Sequence, residues 1–276
     1  MKRELSFYTT ASQNLITIHY LRELIERLEK KGPEVLFFRG VSLLGDVYPS
    51  LGDRGMLDVD VLVRERDKGR LEEVLKNMGL QENEPGVFGR IGFILDVHTS
   101  FLTPIRSILG GSCLTISLKE IFQRSISKQL DDIEIKIPCP EHLFISTAFH
   151  LQSHSFVWEK GWKDLVRIRQ YYRLSDEAIL SEAKRMGAEK TLAYLNSLRP
   201  KLFPSWKDNL SRGERWIIKR VKEGKLNQNF GDLLFLFQSK NKGKALKEIF
   251  FPQGFSFSII GDRLWKCLRL LKDTLA

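Results

Sequence analysis

Two aspartates stand two residues apart inside an apolar segment, Leu57 to Val63. Strand side chains two apart point to one face and lie roughly 6.6–6.8 Å apart along the strand, so Asp58 and Asp60 would project together. Asp96 lies in a second apolar segment, Phe93 to Val97, and adds a third carboxylate if the two strands are neighbours. Such carboxylates suit Mg²⁺ (or Mn²⁺) and phosphoryl or nucleotidyl chemistry. A solvent-facing pair of aspartates is the alternative.

The three carboxylates would repel one another while no metal is bound. We therefore expect at least one of them to have a raised pKa. We also expect Asp58→Asn or Asp60→Asn to leave the metal-free protein at least as stable as the wild type.

A candidate phosphate-binding turn precedes the aspartates. The apolar run Val35 to Phe38 is followed by Arg39-Gly40-Val41-Ser42, where a strand ends and a helix begins. Glycine lets a backbone approach a ligand, and amides at a helix start with a serine hydroxyl can bind an anion such as a triphosphate. We expect Gly40→Val to weaken nucleotide binding without unfolding the protein.

These features occur in a fixed order with further residues. The segments concerned are Arg39-Gly40-Val41-Ser42, Tyr48-Pro49, Arg54, Asp58 to Val63, Leu95 to His98, Cys139 to Leu143, His150, His154 and Trp162 to Leu165. Together they resemble the uncharacterised nucleotidyltransferase family of the DNA polymerase β-like superfamily. The resemblance covers roughly residues 33 to 175.

The resemblance implies roles for these residues. Asp58 and Asp60 would be metal ligands and Asp96 a ligand or the base for the acceptor hydroxyl. An NTP would be the substrate, with nucleotide-binding contacts from Arg39, Gly40, Ser42 and Arg54. Two departures are visible: Arg39 stands where the family often has Lys, and Ser42 precedes Asp58 by sixteen residues where the superfamily commonly shows about ten.

The histidines allow other interpretations. His150 and His154 are four residues apart on a predicted helix, which suits a zinc pair, helix packing or a polar contact at the rim of the site. Leu151 stands where a metalloprotease motif needs Glu, so that activity is excluded. His98 shares a strand face with Asp96, where it would contact substrate or make a structural hydrogen bond.

The elements that must position these residues follow from periodicity. Apolar residues have helical spacing over residues 11–31 and 67–78. Ile91 and Gly92 separate two segments that are predicted to form the strands of a hairpin. Further helices are predicted at 117–127, 141–154, 160–173, 176–187, 189–198, 212–223, 228–239, 243–250 and 258–274, with a strand at 133–137. We predict an α+β fold: a minimal nucleotidyltransferase mixed sheet of three to four strands with helices, followed by a helical C-terminal half.

We divide the chain into three regions: an α/β nucleotidyltransferase domain (1–138), a helical domain that completes the cleft (139–198) and a basic helical region (199–276). The last region holds 17 Lys and Arg against 7 Asp and Glu, whereas residues 1–198 hold 27 of each, so the net charge of +10 lies there. Nucleic acid, an anionic membrane surface, an acidic partner and a merely solvated surface are all compatible with it.

The cysteine content and the lengths of the apolar segments exclude several classes of protein. Three distant cysteines (Cys113, Cys139 and Cys267) exclude a disulfide framework and a CxxC metal site. Neither a secretory signal nor a segment long enough to span a membrane is recognisable, so we predict a cytoplasmic protein.

The favoured function is a Mg²⁺-dependent enzyme that moves a nucleoside monophosphate from an NTP to a hydroxyl or phosphate acceptor. The acceptor is a small molecule, a peptide or protein, or RNA. One alternative is a catalytically inactive nucleotidyltransferase-fold module that binds RNA or an acidic partner through its basic region. Another is a toxin–antitoxin or tailoring enzyme that modifies a protein or peptide.

Overall fold

The computed structural model describes residues 2–101, 116–200, 210–224 and 231–238. Its first element is a long helix, α1 (Lys2–Lys31). Ile18, Leu21 and Leu24 lie on one side of this helix and are buried in the core. Helical spacing predicted only the part from residue 11 onward, because residues 5–9 are exposed and show no buried face.

Five strands form one mixed sheet in the spatial order β1-β2-β5-β4-β3. In chain order they are β1 (Val35–Phe38), β2 (Val59–Val63), β3 (Gln81–Glu84), β4 (Val87–Arg90) and β5 (Phe93–His98). β2 and β5 are parallel, and the other neighbouring pairs are antiparallel. This mixed sheet, together with the helices, confirms the predicted α+β class.

Helix α2 (Lys68–Asn77) follows β2 and belongs to the crossover that a parallel pair requires. The crossover returns the chain through β3 and β4 to β5. The predicted hairpin between β4 and β5 is present, and its turn contains Gly92 at φ +79°, a conformation that favours glycine. The resulting register sets Asp60 directly beside Asp96.

Two strands were not predicted. All four side chains of β3 are exposed, so this edge strand has no apolar alternation to reveal it. The helix predicted over 117–127 is also too long: α3 (Leu118–Gln123) ends early, and β6 (Ile126–Leu130) then pairs with the predicted strand β7 (Ile133–Ile137). This hairpin lies against β1.

The remaining described elements are helical, as expected. They are α4 (Pro140–Ser153), α5 (Glu159–Tyr171), α6 (Asp176–Met186), α7 (Glu189–Leu198), α8 (Arg212–Lys222) and α9 (Gly231–Gln238). α4 is buried around most of its circumference and is surrounded by α5, α6, α7 and α9. It therefore forms the centre of the helical half.

The described part of the basic region packs on this helical body. Glu214 of α8 is fully buried and accepts hydrogen bonds from Tyr194 and Lys190 of α7. Phe235 of α9 stacks on Phe149 of α4 with ring centroids 5.7 Å apart. The helices predicted at 243–250 and 258–274 lie outside the described residues, and the division into domains stays a prediction.

Within the part of the chain that the structure describes, no helix is long and apolar enough to cross a membrane. Cys139 is buried as a free thiol, and burial raises its pKa to about 11. Cys113 and Cys267 lie outside the described ranges.

Candidate active site

The parallel pairing of β2 and β5 brings two of the predicted carboxylates together with an imidazole. Asp60 and Asp96 are register partners, and His98 follows Asp96 on the same face of β5. The His98 Nε2 atom lies 2.8 Å from Asp60 Oδ1 and 3.2 Å from Asp96 Oδ2. One ligand atom from each of the three residues lies within 4.8 Å of the others, a spacing that a single metal ion can span.

His98 is held between the two carboxylates. Its side chain is fully buried, and its ring contacts Phe38 edge to face at 5.2 Å. Burial alone would lower the pKa of His98, but hydrogen bonds to Asp60 and Asp96 outweigh it and raise that pKa. The structural hydrogen bond expected for His98 is therefore present.

Arg39 supplies a second partner for Asp60. Its Nη1 atom donates to Asp60 Oδ1 at 2.6 Å, and both side chains are almost completely buried. Burial opposes ionisation of Asp60, yet Arg39 and His98 lower the pKa of this carboxyl below its ordinary value. In the metal-free protein, Asp60 is thus a paired carboxylate and is not repelled by its surroundings.

Asp58 differs from Asp60 in its position, exposure and pKa. It immediately precedes β2, and its side chain is exposed. Partial desolvation and the charge of Asp60 raise the pKa of Asp58, as expected for one member of the group. Among the described residues the compact metal-compatible group contains Asp60, Asp96 and His98 but not Asp58.

A cavity of about 220 Å³ opens between this sheet edge and the helical half. Its wall contains residues from the sheet and from the helices that follow it. The lining residues are Arg39, Gly40, Arg54, Met56, Leu57, Asp58, Asp60, Thr147, His150, His154, Trp158, Lys160 and Asp164.

The strand-to-helix turn after β1 differs from the expected phosphate cradle. A single 3₁₀ turn, Val41–Leu43, replaces the predicted short helix. Ser42 is fully buried, and its hydroxyl donates to the Arg39 carbonyl oxygen at 2.7 Å, so it does not face the cavity. Arg39 has φ +57°, which a residue other than glycine rarely adopts. The turn therefore positions Arg39 toward Asp60.

Gly40 does line the cavity. A Cβ atom there would lie 2.9 Å from Arg54 Nη1 and 3.2 Å from Met56 Sδ. The expectation that Gly40→Val weakens nucleotide binding without unfolding the protein stays a prediction. The larger side chain would also press on the side chains of Arg54 and Met56.

Arg54 reaches the cavity with its charge already paired. Its Nε and Nη2 atoms donate to the two carboxylate oxygens of Asp164 at 3.0 and 2.8 Å. The Tyr48 hydroxyl donates to the same carboxylate at 2.7 Å. This bidentate pair ties the loop before β2 to α5, which gives Arg54 a structural role that its position in the sequence did not predict.

The helical wall supplies further functional groups. His150 and His154 lie one helical turn apart with ring centroids 4.6 Å apart, and Trp158 contacts both rings. Both histidines line the cavity, in agreement with the rim alternative, and neither belongs to the metal-compatible group found among the described residues. Sequence reasoning overlooked Trp158 and Lys160, which belong to no recognisable motif.

Lys160 is a cation on this wall. Its Nζ atom lies 5.2 Å from the Trp158 ring centroid and donates to the Gly55 carbonyl oxygen at 2.5 Å. Partial desolvation and the nearby Arg54 lower the pKa of Lys160. The cavity thus has carboxylates on its sheet side and a lysine with two imidazoles on its helical side, an arrangement suited to a cation and a polyanion bound together.

The comparison with protein families agrees with this geometry. A sequence model described as uncharacterised nucleotidyltransferase matches residues 4–204, which are 201 of the 276 residues. The comparisons with curated proteins and with solved structures give no match. The matched segment contains the mixed sheet, the carboxylates and the helices that wall the cavity. The chain therefore belongs to this uncharacterised nucleotidyltransferase family.

Proposed function

We propose that the protein is a metal-dependent nucleotidyltransferase that moves a nucleoside monophosphate from an NTP to a hydroxyl or phosphate acceptor. The observation that carries the proposal is the β2–β5 register, which places Asp96 beside Asp60. Asp60 lines a cavity whose wall also contains Asp58 and Lys160. Family membership supports the same reaction class.

The donor atoms fit a divalent cation, Mg²⁺ or Mn²⁺. Asp60 and Asp96 present oxygens at hydrogen-bond distance from one imidazole nitrogen, and Asp58 stands at the cavity beside Asp60. We assign Asp58, Asp60 and Asp96 as the metal-binding carboxylates. A divalent cation bound here would supply charge for the phosphates and acidify a bound oxygen.

Arg39 and Lys160 are the cations proposed to bind the NTP phosphates. Arg39 reaches the cavity from the sheet side and Lys160 from the helical side. Gly40 lines the cavity with its backbone alone, and this backbone is proposed to contact the phosphates. Ser42 acts indirectly, through its hydrogen bond to the Arg39 backbone, and Arg54 acts through its pair with Asp164.

Transfer requires one bond to form and one to break. The acceptor oxygen bonds to the α-phosphorus, and the bond from that phosphorus to the oxygen bridging to the β-phosphate breaks, so pyrophosphate leaves with the electron pair. We propose Asp96 as the group that accepts the acceptor's proton, since its side chain is partly exposed whereas Asp60 is buried and paired.

The proposal is tested by incubating the protein with each α-³²P-labelled NTP, a divalent metal and cell extract. We expect one macromolecule or metabolite to acquire label, and Asp96→Asn to abolish labelling. Because Asp53 is an exposed neighbour outside the cavity lining, Asp53→Asn should label like the wild type. A wild-type protein that binds NTP but labels nothing in any extract fraction would contradict the proposal.

We also propose that the basic region binds an anionic partner and so helps to recruit the substrate. α8 presents the exposed side chains of Arg212, Arg215, Lys219 and Lys222. The same surface would serve the alternative, non-catalytic binding function. The predicted cytoplasmic location and the three classes of acceptor likewise remain proposals.

A further inference from the structure

We propose that His98 is a nitrogen ligand of the cation site, so that the site binds a first-row transition-metal ion such as Mn²⁺ in preference to Mg²⁺. The inference deepens the proposed function and rests on it, since it concerns the metal of the same site.

The distances support direct ligation. Two adjacent ligands of an octahedral ion with bonds of roughly 2.1 Å lie about 3.0 Å apart. His98 Nε2 lies 2.8 Å from Asp60 Oδ1 and 3.2 Å from Asp96 Oδ2. The imidazole nitrogen is thus spaced from each carboxylate oxygen as adjacent ligands of one ion are, and all three atoms lie within 4.8 Å of one another.

The orientation of the imidazole is fixed by packing. His98 is fully buried, its ring meets Phe38 edge to face, and Phe38 in turn stacks on Phe101. Among the described residues, the Nδ1 atom has no hydrogen-bond partner, and the Nε2 atom faces the two carboxylates. A ring held in this way loses little freedom when it binds an ion.

The mixed donor set determines the metal preference. Mg²⁺ is bound mainly by oxygen ligands, whereas imidazole suits first-row transition metals. Two carboxylates and one imidazole therefore favour Mn²⁺ and its heavier neighbours over Mg²⁺. The opposing interpretation is that His98 only donates a hydrogen bond that aligns Asp60 and Asp96.

Electron paramagnetic resonance on the full chain distinguishes the two interpretations. Mn²⁺ is titrated with the protein, and the six-line signal measures the concentration of the free ion. The nuclei around bound Mn²⁺ are then detected by electron spin echo envelope modulation. We expect modulation from a directly bound ¹⁴N nucleus. Biosynthetic incorporation of ¹⁵N-histidine should replace this with ¹⁵N modulation, which identifies histidine without any substitution.

Variants identify the histidine. His98→Asn should remove the nitrogen coupling, weaken Mn²⁺ binding by about tenfold or more, and lower the Mg²⁺ concentration needed to displace Mn²⁺. His150→Asn and His154→Asn change the two imidazoles that line the adjacent cavity and should keep the coupling.

The outcomes separate this inference from the proposed function. Bound Mn²⁺ without nitrogen coupling, or with coupling that survives in His98→Asn, would overturn the role of His98 and leave a metal-dependent transferase intact. A wild-type protein that binds Mg²⁺ but no Mn²⁺ would overturn the inference alone, and one that binds neither ion would overturn both.

Discussion

At the scale of single residues, Asp58 and Asp60 have opposite electrostatic environments although they are two residues apart. Asp60 is buried against Arg39 and His98, and its pKa is lowered. Asp58 is exposed at the cavity, and its pKa is raised by partial desolvation and by Asp60. The sequence expectation that both would destabilise the metal-free protein is thus wrong for Asp60, because alternation along a strand does not reveal which carboxylate meets a buried cation.

Substitution of asparagine for Asp58 and for Asp60 should therefore change the free energy of unfolding by different amounts. Asp60→Asn leaves Arg39 buried without its counter-charge and should lower the free energy of unfolding by about 3–5 kcal/mol, the usual cost of breaking a buried ion pair. Asp58→Asn should leave it unchanged or slightly raised. Chemical denaturation at pH 7 without metal measures both. Equal effects of the two substitutions would refute the difference.

The pKa shifts of the two aspartates also predict how their contributions to the free energy of unfolding change with pH. Since the folded-state pKa of Asp60 is lowered, its stabilisation is fully present above the unfolded value of about 3.9 and is lost as pH falls through the folded pKa. For Asp58 the folded pKa is raised, so its cost is present at neutral pH and is relieved on acidification. The deficit of Asp60→Asn relative to wild type should accordingly shrink as the pH is lowered below about 4.

Lys160 can be tested against a neighbour on the same helix. Lys160→Gln removes a cavity cation and should weaken binding of inorganic tripolyphosphate about tenfold, since a hydrogen bond to a charged group contributes roughly 1.5–3 kcal/mol. Lys163 is exposed and absent from the cavity lining, so Lys163→Gln serves as control. Isothermal titration calorimetry measures both. Equal affinities of the two variants would place the phosphates elsewhere.

At the scale of elements, the strands that were predicted are those whose sequences show apolar alternation or an apolar run. β2, β5 and β7 alternate or are apolar, and their existence was predicted. The neighbouring of β2 and β5, on which the role of Asp96 was conditional, is supplied by the structure. β3 and β6 were missed because their side chains are mostly exposed and polar, so pairing with a neighbouring strand and not burial defines them.

Tertiary contacts account for the remaining differences at the site. Ser42 faces inward because the 3₁₀ turn after β1 directs its hydroxyl to the Arg39 carbonyl. Arg54 is paired with Asp164, which is 110 residues away in sequence. No local pattern reveals such a distant partner, so the residue types at the site were predictable while their roles were not.

The Arg54–Asp164 pair is predicted to fasten the loop before β2 to α5. Asp164→Leu leaves the Arg54 guanidinium buried without its partner and should cost about 3–5 kcal/mol of unfolding free energy. The double variant Arg54→Met with Asp164→Leu should recover much of this loss, because no unpaired charge remains. A denaturation-based double-mutant cycle, completed by Arg54→Met alone, measures the coupling. Additive effects of the two single changes would contradict it.

At the scale of the whole molecule, the described part of the basic region packs against the helical half and cannot be removed without disturbing it. α8 buries Glu214 against α7, and α9 places Phe235 on α4. Ending the chain near Arg199 would expose this part of the core. A truncation would therefore confuse loss of stability with loss of binding, and the charges of α8 must instead be removed within the full chain.

Neutralising the exposed face of α8 is the appropriate change. A variant in which four exposed cations become Gln should bind single-stranded RNA more weakly than the wild type. The slope of log K against log salt should become shallower by up to about 0.7 for each phosphate that is no longer neutralised. The substituted residues are Arg212, Arg215, Lys219 and Lys222. Fluorescence anisotropy over a salt series measures the affinity and the slope, with anionic vesicles as a parallel arm.

A matched control removes the same charge from the other half of the molecule. Four exposed cations of α1, α2 and the turn before α2 are changed to Gln, namely Lys30, Arg66, Arg70 and Lys76. Because this variant has the same net charge as the α8 variant, it should keep most of the RNA affinity if α8 is the binding surface. Unchanged affinity and slope in the α8 variant would mean that α8 is only a solvated surface.

A nucleotidyltransferase moves the nucleoside monophosphate itself, and the position of a radioactive label in the products shows which part of the NTP has moved. The NTP that supports labelling is supplied with ³²P at either the α- or the γ-phosphate, and the acceptor and the released pyrophosphate are separated and counted. We predict that α-label appears on the acceptor and γ-label only in pyrophosphate, with Asp96→Asn showing neither. An acceptor that carries γ-label would contradict the account, because it would make the protein a kinase.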